Sequence, residues 1–456
     1  MGVSDAAGLI VTSAALTCAL LRDLFGTPQM RAVFDSRQMV QRWLDVEAAL
    51  ARAEARVGVV PAVAAARITR EADAARFDLD ALRDGIAESQ HPLVPAIREL
   101  TRRCEEHGAH VHWGATTQDI IDTGCVLQIR DAATVLDADL ERAVVAATRL
   151  AHDHAASPMA GRTHGQHAVP ITFGLKAASW ADELGRCRAR LHQVVAGLPV
   201  QLAGAAGTLA SLGADAARVH SAMADELGLP DAVVPWHVAR DRVRDLGHAL
   251  NQVGGAGERI AAEVIRLQAT EVGEVLEPAG DRHVGSSTMP QKRNPMTSEY
   301  LVASARCLRG AVSPLTESPA HAGERDMALW ATEWLAVPSA FILAASVADK
   351  LATILAGLEV RPQRMRDNLA LTNGAVMAEA AMMTLARYIG HASAHHVVAR
   401  AAMRAAAEGQ PLLSTLLEDP DVERCTLAEL ARAMHPEGYL GWSQDVARGA
   451  GPEAAS

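Results

Sequence analysis

Lysine is scarce in this sequence of 456 residues. Lys and Arg together number 43, yet only Lys176, Lys292 and Lys350 are lysines. Aromatic residues make up 3% of the chain, and the excess of Asp and Glu gives a net charge of −11. The lack of any basic block argues against nucleic-acid binding. The six cysteines are scattered without a C-x-x-C pair, which is typical of buried thiols in a reducing compartment.

Long apolar runs are also lacking. The apolar stretch 6–21 is short for a membrane span, contains Ser13 and Thr17, and has no basic residue before it. Ala, Leu, Arg and Glu are abundant, and this composition favours helix over strand. Proline-free stretches such as 236–277, and the absence of any long period-two pattern, predict long helices joined by short breaks. We therefore expect an all-α, soluble, cytoplasmic protein that does not bind membranes.

One loop carries most of the chemical signal. Residues 280–295 read GDRHVGSSTMPQKRNP. Gly285 precedes two serines, Ser286 and Ser287, and one of the rare lysines, Lys292, follows with Asn294. A flexible loop of this kind can carry a hydroxyl to a substrate and present an ammonium and an amide to a carboxylate. The alternative is a solvated loop between two helices.

Two further polar segments precede long predicted helices. In HVHWGATTQDIIDTG, which starts at His110, Thr116 or Thr117 can cap a helix whose amides face an anion, although capping alone explains the pattern equally well. In SPMAGRTHGQHAVPITFG, which starts at Ser157, His164 is followed by glycine in a polar loop. A histidine in that setting is a candidate acid or base, although a lone histidine is more often structural.

These segments resemble the signatures of the fumarase/aspartase superfamily. GSSTMPQKRNP resembles the superfamily's main signature, and RTHGQHA resembles its second region. WGATTQD and the late segment MHPEGYL are nearest to carboxymuconate cycloisomerases, and pieces of resemblance run from about residue 20 to 441. The resemblance implies three domains: an N-terminal helical domain (1–112), a central helix bundle (113–361) with signature loop 278–295, and a C-terminal helical domain (362–456).

The resemblance also implies a set of site residues and an assembly. Ser286, or alternatively Ser287, would be the catalytic base, and His164 would serve the leaving group. The bundle would form the core of a homotetramer in which each site draws on three chains, with no cofactor or metal. The residues predicted to bind a small dicarboxylate substrate are His91, Thr116, Thr117, Gln118, Gln166, Arg240, Lys292, Asn294 and Arg325.

The predicted activity is anti β-elimination from a substituted succinate to release fumarate. C–N cleavage of an amino- or nitro-succinate is the preferred form, because His164 is retained whereas bacterial cycloisomerases of this superfamily are expected to lack it. The first alternative is a cycloisomerase that lactonises 3-carboxy-cis,cis-muconate. The second is a catalytically silent structural relative, which the intact loop residues disfavour.

Three other residue patterns give weaker evidence of a functional site. The histidine clusters at 107–112 and 391–396 lack carboxylate or cysteine partners at ligand spacing, so no metal site is predicted. Residues 201–213 are glycine-rich but do not follow the G-x-G-x-x-G order of a dinucleotide site. No G-x-S-x-G stands in an α/β pattern, which excludes a hydrolase of that kind.

Overall fold

The computed structural model describes residues 16, 18–232, 234–278, 289, 291–317, 320–422 and 427–449. The chain is 72% helical and 4% strand, which confirms the all-α prediction. The helices in the first half are α1 Pro28–Val33, α2 Ser36–Val57, α3 Ala62–Glu71, α4 Leu79–Ser89, α5 Val94–Arg103, α6 Thr117–Asp153, α7 Phe173–Ala196 and α8 Ala216–Leu227. Those in the second half are α9 Asp241–Gln268, α10 Met296–Glu317, α11 Met327–Gly357, α12 Pro362–Ala370, α13 Ala378–Ile389, α14 His391–Glu408, α15 Leu412–Leu417, α16 Leu427–Ala433 and α17 Ser443–Gly449.

Local signals account for several helix ends. The carboxylate of Asp35 accepts a hydrogen bond from the backbone N–H of Gln38 at 2.8 Å and caps α2. The same helix ends at Gly58, where φ is +93° and a side chain would be strained. Helix α6 begins at Thr117, at the predicted capping segment, and runs for 37 residues.

The chain forms two compact units. Unit 1 comprises Met1–Asp139, Cys187–Gly257 and Ala303–Asp349, and unit 2 comprises Leu140–Arg186, Glu258–Val302 and Lys350–Ser456. In unit 1, α2, α3 and α8 pack around a core that includes Leu44, Leu50 and Ile68. In unit 2, α13 and α14 pack around Leu385 and Val398. The three consecutive domains expected from the sequence stay a prediction.

Two strands of six and seven residues form although the sequence shows no long period-two pattern. Strands β1 (Pro158–Thr163) and β2 (Gln166–Thr172) form an antiparallel hairpin with an irregularity between Ala160 and Arg162. Buried and exposed residues do not alternate along these strands, so the period-two signal is missing. Two short strands, β3 (Val275–Leu276) and β4 (Glu359–Val360), pair antiparallel in unit 2.

Within the described residues, α11 is long and apolar enough to cross a membrane by length and composition, and the bent pair 362–370 and 375–389 would count as a second such segment. In the most apolar stretch of α11, 67% of the residues are buried inside the chain. A core helix of a soluble protein has the same properties, so this finding is weak evidence for a membrane span.

Candidate active site

The N-terminus of α6 is tied to a neighbouring loop by one buried aspartate. Asp119 accepts hydrogen bonds from the backbone N–H groups of Thr116 (2.9 Å), Ala203 (3.0 Å) and Gly204 (2.9 Å). Its Oδ1 also lies 2.7 Å from Nε2 of His237. The carboxylate is fully buried, and both of its oxygens accept hydrogen bonds from the protein. It therefore orders the loop beside the helix and does not contact a substrate.

Thr117 and His91, both predicted to bind substrate, are in contact. Nε2 of His91 lies 3.1 Å from the Thr117 hydroxyl, and Nδ1 accepts from the backbone N–H of Leu93 at 3.3 Å. Burial, together with the charges of Arg325 and His112, lowers the pKa of His91, so the ring is neutral near pH 7. The proton of the neutral ring must then sit on Nε2 and be donated to Thr117. The hydrogen of the Thr117 hydroxyl is left for another acceptor.

Gln118 orients Arg325. Nε of Arg325 donates to Oε1 of Gln118 at 2.9 Å, and Nη2 donates to the carbonyl of Ala205 at 3.2 Å. The amide nitrogen of Gln118 donates to the His237 carbonyl at 3.0 Å, and its side chain is completely buried. Within the described part of the chain, Nη1 of Arg325 has no acceptor, and the side chain is half-buried. Gln118 therefore acts through Arg325, and Arg325 keeps a donor for an anion.

Arg240 belongs to a buried ion-pair network. Its guanidinium binds Glu333 through Nε (2.9 Å) and Nη2, and Asp122 through Nη1 (2.8 Å) and Nη2 (3.1 Å). Nη1 also lies 3.4 Å from the Trp236 carbonyl, and the guanidinium stacks on the Trp236 ring. All five N–H groups are thus engaged. In place of the predicted substrate contact, the structure gives Arg240 a role in holding α6, α9 and α11 together within unit 1.

His164 lies at the tip of the β1–β2 hairpin. Thr163 pairs with Gln166, so His164 and Gly165 form a two-residue turn, with φ values of +53° and +74° as in a type I′ turn. His164 and Gln166 are both exposed in the single chain. His164 therefore stands on a short hairpin turn between paired strands, in place of the polar loop that the sequence suggested.

A buried ion pair fixes the hairpin within unit 2. Arg162 donates from Nη1 and Nη2 to the two oxygens of Glu274 at 2.9 and 2.6 Å, and the Glu274 side chain is fully buried. Asn368 donates to the same carboxylate at 2.8 Å. Arg162 lies two residues before His164, so this bidentate contact sets the direction of the strand that carries the histidine.

The end of the signature loop is also anchored. Gln268 donates to the carbonyl of Arg293 at 2.9 Å and accepts the backbone N–H of Glu277 at 2.7 Å. Glu277 in turn accepts from the backbone N–H groups of Thr297 (2.9 Å) and Ser298 (2.8 Å), which caps α10. These contacts hold the backbone on both sides of Asn294. Lys292, two residues earlier, is exposed.

Ser286 and Ser287 lie outside the described residues. Of the other predicted site residues, His91, Thr116, Thr117, Gln118, Arg240 and Arg325 belong to unit 1, and His164, Gln166, Lys292 and Asn294 belong to unit 2. Sequence reasoning interpreted Asp119 only as a carboxylate at a helix N-terminus, and it missed the supports Glu274, Glu277 and Gln268. The one available signal was a pair of carboxylates, Glu274 and Glu277, within the otherwise apolar run around β3.

The described part of the chain contains no cluster of metal-ligating side chains. No group of three or more His, Cys, Asp or Glu side chains is arranged there to hold an ion. The two histidine clusters noted in the sequence are included in that range.

The chain is similar to known lyases and cycloisomerases over nearly its whole length. Residues 25–310 match the family model described as "Lyase", and residues 374–449 match "Adenylosuccinate lyase C-terminus". A 3-carboxy-cis,cis-muconate cycloisomerase of Pseudomonas aeruginosa is 43% identical over 423 residues, which cover 91% of this chain and 92% of that protein. The crystal structure of 3-carboxy-cis,cis-muconate lactonizing enzyme from Pseudomonas putida superposes with a TM-score of 0.87 at 37% identity, covering 94% and 97% of the two chains. An adenylosuccinate lyase of Pyrococcus horikoshii is 36% identical over 427 residues, covering 93% and 96%.

The prediction of a C–N lyase that releases fumarate is therefore wrong. Relatives named as cycloisomerases reach higher identity than the adenylosuccinate lyase, and solved cycloisomerases share the fold over nearly the whole chain. The preference for C–N cleavage rested on the retained His164, and the whole-chain similarity to cycloisomerases outweighs it. The first alternative, lactonisation, agrees with the comparisons.

Proposed function

The chain belongs to the lyase family of the fumarase/aspartase superfamily, and within it we propose that this enzyme lactonises 3-carboxy-cis,cis-muconate. The observation that carries the proposal is near-full-length similarity to cycloisomerases, in sequence and in fold. The polar groups at the start of α6 support it, because Thr117 and Arg325 each keep a donor for an anionic substrate.

The reaction closes a ring by intramolecular addition. An oxygen of one carboxylate bonds to the β-carbon of the conjugated acid, and the π electrons of that C=C bond move to the α-carbon. The neighbouring carboxylate delocalises this charge as an aci-carboxylate until a proton bonds to the α-carbon. One C–O bond forms, one π bond is lost and one proton is taken up, because the nucleophilic carboxylate carried none. The reverse reaction is a β-elimination, which explains why a lyase scaffold serves it.

The site must stabilise concentrated negative charge. Preorganised donors aimed at a developing dianion are the largest catalytic contribution available to a protein without a metal. Arg325 and Thr117 are proposed sources of such donors, and Lys292 and Asn294 of the signature loop are proposed as two more. Ser286, or alternatively Ser287, exchanges the proton at the α-carbon: the residue that would remove it in elimination delivers it in lactonisation.

His164 has a different task in lactonisation from the one first predicted. An amine leaving group requires an acid, whereas the nucleophile here is a carboxylate that is already ionised near neutral pH. No proton needs to move on that side of the substrate. His164 therefore serves as a hydrogen-bond donor to a substrate carboxylate, and its loss weakens binding more than it slows chemistry.

The assembly is proposed from the same family membership, and the location from the scattered cysteines. We propose a homotetramer in the cytoplasm, acting on a small polycarboxylate, with each site drawing on three chains and with no cofactor. Mixing inactive Ser286→Ala protein with the weakened Thr117→Val protein tests the shared site, because hybrid tetramers would contain some sites with neither substitution. Activity above the average of the two separate proteins supports shared sites; activity that stays at that average after subunit exchange refutes them.

The decisive assay follows the conjugated diene of 3-carboxy-cis,cis-muconate by ultraviolet absorbance, with proton uptake recorded in a pH-stat. We expect absorbance to fall with one proton consumed per turnover and no fumarate released. Ser286→Ala should abolish the reaction, with Ser287→Ala as the matched comparison that separates the two serines. A folded protein that leaves the diene unchanged would refute the proposal.

A further inference from the structure

The two ends of the signature loop are joined by one amide side chain. Gln268 is the last residue of α9, and its Oε1 accepts the backbone N–H of Glu277 at 2.7 Å. Its Nε2 donates to the carbonyl of Arg293 at 2.9 Å. Glu277 and Arg293 are 16 positions apart and flank the sequence that holds Ser286 and Ser287. Both polar atoms of the Gln268 side chain are therefore used to hold the loop ends together.

A second hydrogen bond joins the same two ends. Nη2 of Arg293 donates to the carbonyl of Glu277 at 2.8 Å. The three hydrogen bonds among Gln268, Glu277 and Arg293 are here called the loop clasp. Each of the three residues contacts the other two, so the separation of the loop ends is fixed both directly and through the amide.

The loop clasp is anchored within unit 2. The Glu277 carboxylate accepts from the hydroxyl of Ser298 at 2.7 Å, in addition to its two backbone contacts at the start of α10. Nη1 of Arg293 donates to Glu359 of β4 at 3.1 Å. Gln268 and Glu277 are only 9% and 3% exposed, so little water reaches the amide. Removing the amide therefore leaves buried backbone groups without partners.

Two proposed substrate-binding residues extend from this fixed backbone. Lys292 precedes Arg293 and Asn294 follows it, so the Cα atom of each lies about 3.8 Å from that of the clasped residue. The backbone N–H of Lys292 also donates to the Met289 carbonyl at 3.0 Å. The Lys292 side chain is exposed and makes no ion pair with a described residue, so its ammonium is available to an anion. A shift of the backbone at Arg293 would move both binding groups.

We propose that Gln268 is a positioning residue, which holds the backbone from which Lys292 and Asn294 reach the polycarboxylate substrate. The inference rests on the proposed function, because the roles of Lys292 and Asn294 belong to it. The part played by Gln268 is indirect, since both polar atoms of its amide are bound within the loop clasp. Misplacement of a group by about 1 Å costs up to roughly a hundredfold in rate. Loss of the loop clasp should therefore weaken the hold on an anion although Lys292 and Asn294 are unchanged.

The test is a double-mutant cycle on the binding of tricarballylate to the full-length protein, measured by isothermal titration calorimetry. Tricarballylate carries three carboxylates, as the proposed substrate does, and has no C=C bond, so it cannot be lactonised. Gln268→Met keeps the approximate shape of the side chain and removes its donor and its acceptor. We expect it to weaken binding about tenfold, as for the loss of one hydrogen bond to a charged group. In Lys292→Met protein the same change should cost less than about threefold, because the contact that Gln268 positions is already gone.

Gln128→Met is the matched control. Gln128 is another buried glutamine, its amide donates to the carbonyl of Val33 at 3.0 Å, and it lies in unit 1. This variant should bind tricarballylate as wild type does. Gln268→Asn is a second variant that retains an amide but is one methylene shorter, so it cannot reach both loop ends. It should weaken binding in the same direction as Gln268→Met, and it keeps the test decisive if Gln268→Met does not fold.

Three results would overturn the proposal. The first is wild-type affinity in the folded Gln268 variants, with folding verified by circular dichroism. The second is an equal loss in Gln128→Met, or a loss from Gln268→Met that is the same with and without Lys292. The third is a wild-type protein that does not bind tricarballylate at millimolar concentration. A wild-type protein that binds tricarballylate but leaves the diene of 3-carboxy-cis,cis-muconate unchanged would instead refute the proposed reaction, and the cycle would still decide the role of Gln268.

Discussion

Glu54 of α2 makes the stability of this protein depend on pH. Both oxygens of its carboxyl group are buried without a hydrogen-bond partner among the described residues. Burial, and to a smaller degree the charge of Glu47, raises the pKa of Glu54 from 4.5 to about 8. In the unfolded chain the group ionises near pH 4.5, so between pH 4.5 and 8 the unfolded state binds fewer protons than the folded state. Stability therefore falls as pH rises through this window.

The size of the effect follows from the two pKa values. The free energy of unfolding loses about 2.5 kcal/mol between pH 5 and pH 7 because of this one group. That figure hardly changes for any folded-state pKa above about 7, since the folded protein then stays mostly protonated over the whole range. Glu54→Gln keeps the shape of the side chain and removes the ionisation, so the loss should disappear in the variant.

Urea unfolding at pH 5 and pH 7, followed by circular dichroism, measures the difference. Wild type and variant are compared at one protein concentration, because subunit association adds to apparent stability. Glu54→Gln should gain about 2.5 kcal/mol on wild type from pH 5 to pH 7. Glu88→Gln, at an exposed site on α4, is the control and should follow wild type. An advantage of the same size at both pH values would show that Glu54 is ionised in the folded protein.

Three further substitutions test the site. In the diene assay, His164→Asn should lower kcat less than about tenfold, because lactonisation transfers no proton at the nucleophilic carboxylate. Loss of a general acid would instead lower kcat by roughly a hundredfold or more. Thr117→Val should lower kcat/KM by roughly tenfold or more, because it removes a hydrogen-bond donor to a charged substrate. Its melting temperature should fall no further than that of His91→Ala, which removes the partner of the same hydrogen bond. Glu274→Gln should cost about 3 to 5 kcal/mol in thermal unfolding, because it leaves Arg162 buried without its carboxylate; a loss under about 1 kcal/mol would contradict the buried ion pair.

Helix content was predictable because it depends on local signals. Gly58 ends α2 where a left-handed residue is needed, and Thr116 and Thr117 stand at the start of α6. Proline positions predicted the helix boundaries less well. Helix α11 continues through Pro338, and the proline-free stretch 363–410 divides into three helices near Gly374 and Gly390. Tertiary packing decides whether a helix tolerates a lost hydrogen bond, and sequence spacing does not report packing.

The proline-free stretch 236–277 shows the same limit. A continuous helix was a possible outcome, but α9 spans only Asp241–Gln268. At its start, Trp236 is held by Gln201, which accepts its backbone N–H at 3.2 Å. At its end, Gly273 turns the chain with φ of +61°. The first cause is a contact between residues 35 positions apart, which no local pattern contains.

Most site residues were predicted from the recognised segments, and their roles stay predictions. The structure brings Thr117 into contact with His91 and Gln118 into contact with Arg325. It also shows Arg240 saturated by carboxylates, which residue type alone cannot reveal. A buried arginine and a substrate-binding arginine look the same in a sequence, because the difference lies in partners about a hundred residues away.

The error in the predicted reaction has a chemical origin. Elimination and lactonisation share their most demanding species, the aci-carboxylate, so both require the same anion-stabilising donors and the same proton exchange at the α-carbon. In the proposed roles, the residues around Ser286 and Lys292 serve that shared half of the reaction, so they cannot distinguish the two. The difference lies on the other half, where one reaction must protonate an amine and the other uses an ionised carboxylate. Side chains that recognise that half are spread over the chain, so whole-chain similarity separates the activities better than any signature loop.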